Sequence, residues 1–275
     1  MTAKSLPWWA KPNRSSIRVV KPKEVTVCGL AAVRALFAND AGAIRRLYFE
    51  PVTGRRIGII CKALAAARKI YRCVEPSELE KIAGTVHHGG VVAVIEQRVL
   101  RSPRPEDVRR WAQARAPLLL LDRIGNAHNF GAIVRTAAFF GVERLVIPLH
   151  PQQARPSEAT YRVAEGGMEY VEVYCVKSLV EFIRELRPHY RVVGAMVGGA
   201  EPLRPEAGPG SREPQSGAAA RRPIALVLGN EEQGLAPEVA AACEQLVGIP
   251  GSGAVESLNV SAAAAVLCWA YFGGR

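Results

Sequence analysis

From residue 117 onward six short apolar runs recur: PLLLLD (117–122), RLVIP (144–148), YVEVYC (170–175), RVVGAMV (191–197), IALVLG (224–229) and QLVGIP (245–250). Between most of them lie stretches with apolar positions at helical spacing, namely FGAIVRTAAFF (130–140), SLVEFIREL (178–186) and PEVAAAC (237–243). A last apolar helix, LNVSAAAAVLCWAYF, occupies 258–272. Strands that are apolar throughout and alternate with helices predict a mainly parallel sheet covered on both faces. Ligands of such sheets sit beyond the carboxyl ends of the strands.

The first part of the chain has a different texture. Residues 25–97 read as a small α/β unit: a helix over GLAAVRALFAND (29–40), a short strand RRLYFE, a helical run ICKALAAARKIY (60–71), a helix opened by Pro76-Ser77, and a β-branched strand GGVVAVIE (89–96). Residues 1–24 read as a tail, broken by Pro7, Pro12 and Pro22 and carrying Trp8-Trp9. Residues 98–116 read as a basic linker whose second half, EDVRRWAQAR, is helical. Residues 198–223, rich in Gly, Pro and Ser without apolar periodicity, read as a mobile surface insertion. The expected division is therefore 1–24, 25–97, 98–116 and 117–275.

Charge sharpens that division. The net charge of the 275 residues is +11, but residues 1–115 hold 22 basic and 9 acidic side chains (+13), against 14 and 16 (−2) in 116–275. An excess confined to one part is the electrostatic footprint expected for a polyanion such as a nucleic acid. No run of 18 or more apolar residues exists, so no membrane span is expected. The N-terminus lacks the apolar core of a secretory signal. The six cysteines form no CxxC pair and lie in apolar stretches, as expected of reduced, buried thiols in a cytoplasmic protein. The five histidines show no metal-ligand spacing, and no metal site is expected.

Three glycine-bearing junctions follow strand ends. In LDRIGNAHNFGAIVRTAAFFGV (121–142), Asn129 can cap the next helix, Gly141 can end it, and Gly131 permits close approach to the backbone. Arg135 lies among apolar residues of that helix and needs a buried partner, a rim position or a function. In LVLGNEEQGL (226–235), the absence of Gly-Lys-Ser/Thr and of GxGxxG excludes a P-loop and a dinucleotide fingerprint. In IPGSGAVESLNVSAAAAVL (249–267), Ser257 or Asn259 caps the last helix.

Taken together and in this order, the three junctions resemble the SpoU/TrmH family of the SPOUT superfamily. Asn129 to Ala137 with Phe140-Gly141-Val142 matches the first family motif. Leu228-Gly229-Asn230-Glu231 with Gly234-Leu235 matches the second, and Ile249-Pro250 with Ser257-Leu258-Asn259-Val260-Ser261 the third. Cys28-Gly29-Leu30, Ala32-Val33 and His88-Gly89-Gly90-Val91-Val92 resemble the ribosomal-protein-like RNA-binding domain that precedes it, with Gly89 in place of the usual Gln. The resemblance implies an α/β trefoil-knotted methyltransferase domain that works as a homodimer, with S-adenosylmethionine as cofactor and a tRNA or rRNA ribose 2′-hydroxyl as methyl acceptor. It implies Arg135, Asn129, Glu231, Ser257 and Asn259 as catalytic residues, with Glu231 orienting Arg135 or Asn259. It implies cofactor contacts at Gly229, Ile249, Leu258 and Ala195. A non-catalytic RNA-binding member of the same fold is the alternative.

Overall fold

The computed structural model describes residues 23–198, 201–203 and 222–273. The tail with Trp8-Trp9, and most of 198–223, lie outside the described residues.

The first unit runs β1 (Glu24–Cys28), α1 (Leu30–Asp40), β2 (Arg46–Phe49), α2 (Pro51–Gly54), α3 (Gly58–Ala66), β3 (Ile70–Cys73), α4 (Pro76–Ala83) and β4 (Val91–Glu96). Its four strands are ordered β1-β4-β2-β3; β4 is antiparallel to both neighbours and β2 is parallel to β3. The helix expected over 60–71 stops at Ala66. Arg68 takes a left-handed conformation (φ 53°), and the amides of Arg68 and Lys69 donate back to the Ala65 and Leu64 carbonyls. That is the hydrogen-bond pattern by which a glycine usually ends a helix, here with arginine at the left-handed position. The released residues become the exposed edge strand β3, which leaves Cys73 exposed rather than buried.

The second unit runs α5 (Pro105–Gln113), β5 (Leu118–Asp122), α6 (Ala127–Phe139), β6 (Arg144–Pro148), α7 (Glu158–Ala164), β7 (Glu172–Val176), α8 (Leu179–Leu186), β8 (Arg191–Ala195), β9 (Glu201–Pro202), β10 (Ile224–Gly229), α9 (Pro237–Ala242), β11 (Gln245–Gly248) and α10 (Val260–Phe272). The seven strands are ordered β7-β6-β5-β10-β8-β11-β9, and every pairing is parallel. Strand β5 shows why the runs read as continuously apolar. Leu119 and Leu121 face one core with Phe130, Ile133 and Leu267, while Leu118 and Leu120 face the other with Trp111, Phe182 and Ile183. All six expected strands are present. Strand β9 begins inside the expected insertion, where it pairs with β11 and is followed by buried Leu203.

Two joints differ from the expected layout. Residues 98–116 are not a spacer: Val108 and Trp111 of α5 are buried in the second core, and Ser102 Oγ and the Arg101 carbonyl bond the backbone of Cys175 on edge strand β7. The two units also share one continuous apolar cluster, which runs from Val25 and Val33 to Leu145 and Phe272. Gly166 (φ 96°) permits this docking, since a Cβ there would lie 2.9 Å from that of Ala35 on α1. The Thr26 amide on β1 donates to Glu158 of α7 at 3.2 Å.

Candidate active site

Strands β5, β6 and β7 step outward on one side of the sheet, and β10, β8 and β11 on the other. The carboxyl ends at this reversal are where a parallel sheet binds ligands. Here they are Asp122, Gly229, Ala195 and Gly248.

Beyond β5 the chain turns sharply, with Arg123 in the left-handed region (φ 59°). Asn126, not Asn129, caps α6: its carbonyl oxygen accepts from the amides of His128 (2.8 Å) and Asn129 (3.3 Å). The turn enters the helix three residues earlier than the glycine pattern indicated, and this frees the Asn129 side chain. Its amide donates to Glu231 Oε1 at 3.0 Å, and its carbonyl oxygen accepts from the Asn259 amide at 3.2 Å. Asn259 in turn caps α10 through Ser261. One residue from each of the three junctions thus enters a single line of hydrogen bonds, Glu231–Asn129–Asn259.

Glu231 also accepts from the amides of Gly125 and Asn126, both at 3.2 Å. Burial opposes its charge, but the bonds from Asn129, its own backbone, Gly125 and Asn126 outweigh burial and hold its carboxyl below the ordinary range. It is therefore a fixed anion that orients donors.

The loop carrying Glu231 is clamped by residues that sequence reasoning passed over. Buried Asp122 accepts from the Ala236 amide at 2.8 Å and pairs with Arg123 at 3.1 Å. Arg123 donates to Gln233 at 2.9 Å, and its carbonyl accepts from the Asn230 side chain at 2.7 Å. The signal available was an acid closing an otherwise apolar strand, LLLLD. Gly229 is required by this same loop: a Cβ there would lie 2.3 Å from the backbone of Gly234 and Leu235. Gly131 makes room for α7, whose Val163 and Thr160 a Cβ would meet at 2.8–2.9 Å.

The remaining expected residues are not on this line. Arg135 pairs with Glu165 at 3.0 Å, both more than half exposed, and makes no bond to Glu231. Six residues along α6 places it about 240° round and 9 Å beyond Asn129, on another face of the helix. Ser257 and Leu258 lie exposed on the loop after β11, while Ile249 is half-buried against the core. Ala195 ends β8 beside Val247, so it, Gly229 and Ile249 lie at neighbouring strand ends.

These features have counterparts in known proteins. Residues 116–269 match the SpoU rRNA methylase family, and residues 26–99 match the substrate-binding unit of RNA 2′-O-ribose methyltransferases. The chain is 34% identical to a 23S rRNA (guanosine-2′-O-)-methyltransferase of Bordetella pertussis, over 87% of this chain and 93% of that protein. It is 33% identical to an uncharacterized tRNA/rRNA methyltransferase of Escherichia coli O157:H7, over 91% of this chain and 68% of that one. Its fold is similar to that of the AdoMet-bound rRNA methyltransferase of Sinorhizobium meliloti (TM-score 0.70, 24% identity, 90% and 86% of the two chains). The chain belongs to the SpoU rRNA methylase family of S-adenosylmethionine-dependent RNA 2′-O-ribose methyltransferases.

Proposed function

We propose that the methyl acceptor is a guanosine of ribosomal RNA, and that the enzyme works in the cytoplasm as a homodimer whose second unit is trefoil-knotted. The observation that carries the catalytic reading is the Glu231–Asn129–Asn259 line, which ties the three junctions together at the carboxyl ends of the sheet. The relatives that share most of the chain's length and are named for a specific reaction act on a guanosine of 23S rRNA. The knot reading is supported by connectivity. The chain leaves β11, two strands out from β10, and returns through 249–259 so that α10 packs on α6.

The residues present fit the cofactor. Among the described residues, no backbone hydrogen bond ties Gly251–Leu258 to the rest of the chain, so that loop's amides and carbonyls are open to an adenosine beside Gly229 and Ala195. S-adenosylmethionine, when bound, supplies an electrophilic methyl group. Glu231 fixes the Asn129 amide, Asn129 fixes Asn259, and together they hold the face against which a ribose must be oriented. The Arg135 guanidinium, with its fork of N–H donors and no acceptor, is suited to grip the target phosphate and to stabilise charge developing on the attacking oxygen.

The homodimer reading rests on the exposed apolar surface of α6 and α10. Phe139 is 82% exposed one turn beyond Arg135, and Trp269 of the adjoining α10 is 48% exposed. A second copy covering this face puts Arg135 at the seam, which accounts for its separation from Asn129 within one chain. Trp269→Glu is expected to yield monomers by light scattering and to abolish transfer; an active monomer counts against the dimer. The activity itself is tested by transfer of tritium from labelled S-adenosylmethionine into a 23S rRNA transcript. RNA binding without any transfer would mark a non-catalytic member.

A further inference from the structure

A cavity of about 470 Å³ opens beside Glu231, bordered by Gly125, Asn126, Gln152, Glu232 and Gln233. Its volume lies in the range of small-molecule pockets. No lysine, arginine or histidine borders it, so it is not built for a phosphate. The cavity is instead lined by amides and carboxylates, the groups that read the edges of bases.

The hydrogen bonds around the cavity fix what each amide presents. Asn126 spends its carbonyl oxygen on the amides of His128 and Asn129, which leaves its NH2 group as a donor without a partner among the described residues. Gln233 spends its carbonyl oxygen on Arg123, which leaves its NH2 likewise. Asn230 is saturated: its carbonyl oxygen holds the amides of Glu232 and Gln233, and its NH2 holds the Arg123 carbonyl. Glu231 is saturated by its four donors. The exposed Glu232 carboxylate has no partner among the described residues and can only accept. The open functions are therefore one carboxylate acceptor and two amide donors, with the adaptable Gln152 beside them.

We propose that this cavity receives the base of the target nucleotide and reads it as guanine, with Glu232 as the specificity-determining residue. Guanine is the base whose two adjacent donors and two adjacent acceptors, N1–H with the 2-amino group and O6 with N7, all find partners here. Its N1–H and 2-amino group both donate to the one carboxylate, while O6 and N7 accept from the Asn126 and Gln233 amides. Adenine, cytosine and uracil each offer a carboxylate a single donor group. Adenine also places its amino group where guanine carries O6, facing the two amide donors. The inference rests on the methyl-transfer reading for the identity of the nucleotide, but the chemistry of the cavity can be tested alone.

Two measurements on the full chain decide it. Binding of guanosine, inosine and adenosine 5′-monophosphates is followed by ligand-observed NMR. Guanosine monophosphate should bind tightest, and inosine monophosphate, which lacks the 2-amino group, about 10-fold more weakly, the scale of one lost base contact. Glu232→Gln, an exposed and structurally silent change, should bind the guanine and inosine nucleotides alike. Equal affinities in the wild type, no detectable guanine binding, or an unchanged preference in Glu232→Gln would overturn the proposal. In the second measurement, RNA labelled by methyl transfer is digested to nucleosides. The label should appear in 2′-O-methylguanosine, and label in another nucleoside overturns the base assignment while leaving methyl transfer intact. Guanine binding with no transfer to any RNA would instead fault the catalytic reading.

Discussion

The two ends of the seven-stranded sheet are built from similar residues and do opposite things with them. At the amino ends of β6 and β7, arginines and acids answer one another. Arg98 pairs with Glu169, Arg101 meets Glu172, Tyr174 and Asp107, and Arg144 pairs with Glu143 and lies over the Trp111 ring. At the carboxyl ends, Glu231, Asn129, Asn259, Asp122 and Arg123 also hold one another, but they leave Glu232, Gln233 and Asn126 with open functions. The lesson concerns the basic connector. In sequence it belongs to the basic excess of residues 1–115 expected to meet a polyanion, yet Arg98, Arg101, Arg109 and Arg110 are each paired within the chain. Arg98 and Arg101 fasten the connector to the start of β7, while Arg109 and Arg110 pair within α5 itself. The exposed cations without an ion pair among the described residues include a group in the first unit, Arg55 and Arg56 between α2 and α3 and Lys62 on α3, on a segment that also exposes Val52 and Ile59.

The largest expected effect is at the carboxyl end. Arg135→Ala should lower the rate of methyl transfer about 10²–10³-fold, the usual loss on removing an electrostatic stabiliser. Cofactor affinity measured by calorimetry should stay near the wild-type value. Near-normal turnover would remove Arg135 from the site and leave the Glu231 line to act alone.

Next in size is the contrast between the two sets of cations. Replacing Arg55, Arg56 and Lys62 together with alanine should weaken RNA binding about 10–100-fold and reduce the salt slope by up to about three. Replacing Arg109 and Arg110 should change neither by a comparable amount, because their charge is already spent on Glu106 and Asp107. Gel-shift titrations at two salt concentrations read both. Equal losses from the two sets would restore the connector as a binding element.

The sheet was legible because its strands are buried on both faces, so hydrophobicity alone marked Leu118–Leu121 and Ala225–Leu228. The site was legible to the extent that local chemistry marks it. Glycine at 229 and Asn259 at the head of α10 are required locally, and both are where expected. Three things were not legible, each for a physical reason. The stop at Ala66 uses Arg68 in a conformation that composition does not announce. Helix α7 has few large apolar residues; it packs through Thr160 and Val163 against the bare backbone of Gly131, and only its Ser157 cap signals it. The partner of Arg135 could not be read either, since Glu165 and Glu231 are both acids in glycine-bearing turns and only the path of the chain distinguishes them.

A third prediction tests how firmly Glu231 is needed. Glu231→Gln keeps the side chain's shape but removes the charge that holds the Gly125, Asn126 and Asn129 donors. Charge-assisted bonds contribute about 1.5–3 kcal/mol each where they are well made. The partial exposure of Glu231 and the acceptor that glutamine retains bring the expected loss of stability at neutral pH to about 1–2 kcal/mol, measured by urea unfolding. Transfer should fall further than stability accounts for, because Asn129 and Asn259 lose their reference point.

The smallest effect is the most discriminating, because the two ends of the sheet hold their carboxylates in opposite ways. Glu231 sits below the ordinary carboxylate range. Glu169 sits above it: burial of a side chain that is 2% exposed is the largest cause and outweighs the opposing pull of Arg98. A lowered carboxyl contributes stability that is present above its unfolded value and is lost as pH falls through the folded one. A raised carboxyl contributes stability that is present below its unfolded value and is lost as pH rises through the folded one. The stability advantage of wild type over Glu231→Gln should therefore grow as pH rises out of the acid range. Its advantage over Glu169→Gln should shrink across the interval above the ordinary glutamate value of about 4.3. At neutral pH, Glu169→Gln should lie within about 1 kcal/mol of wild type, since the glutamine still accepts from Arg98, which is itself 36% exposed and partly served by water. Urea unfolding of the three proteins at closely spaced pH values yields two difference curves. Slopes of opposite sign support the contrast between an anion held to orient donors and one buried to fasten a connector; parallel curves would abolish it.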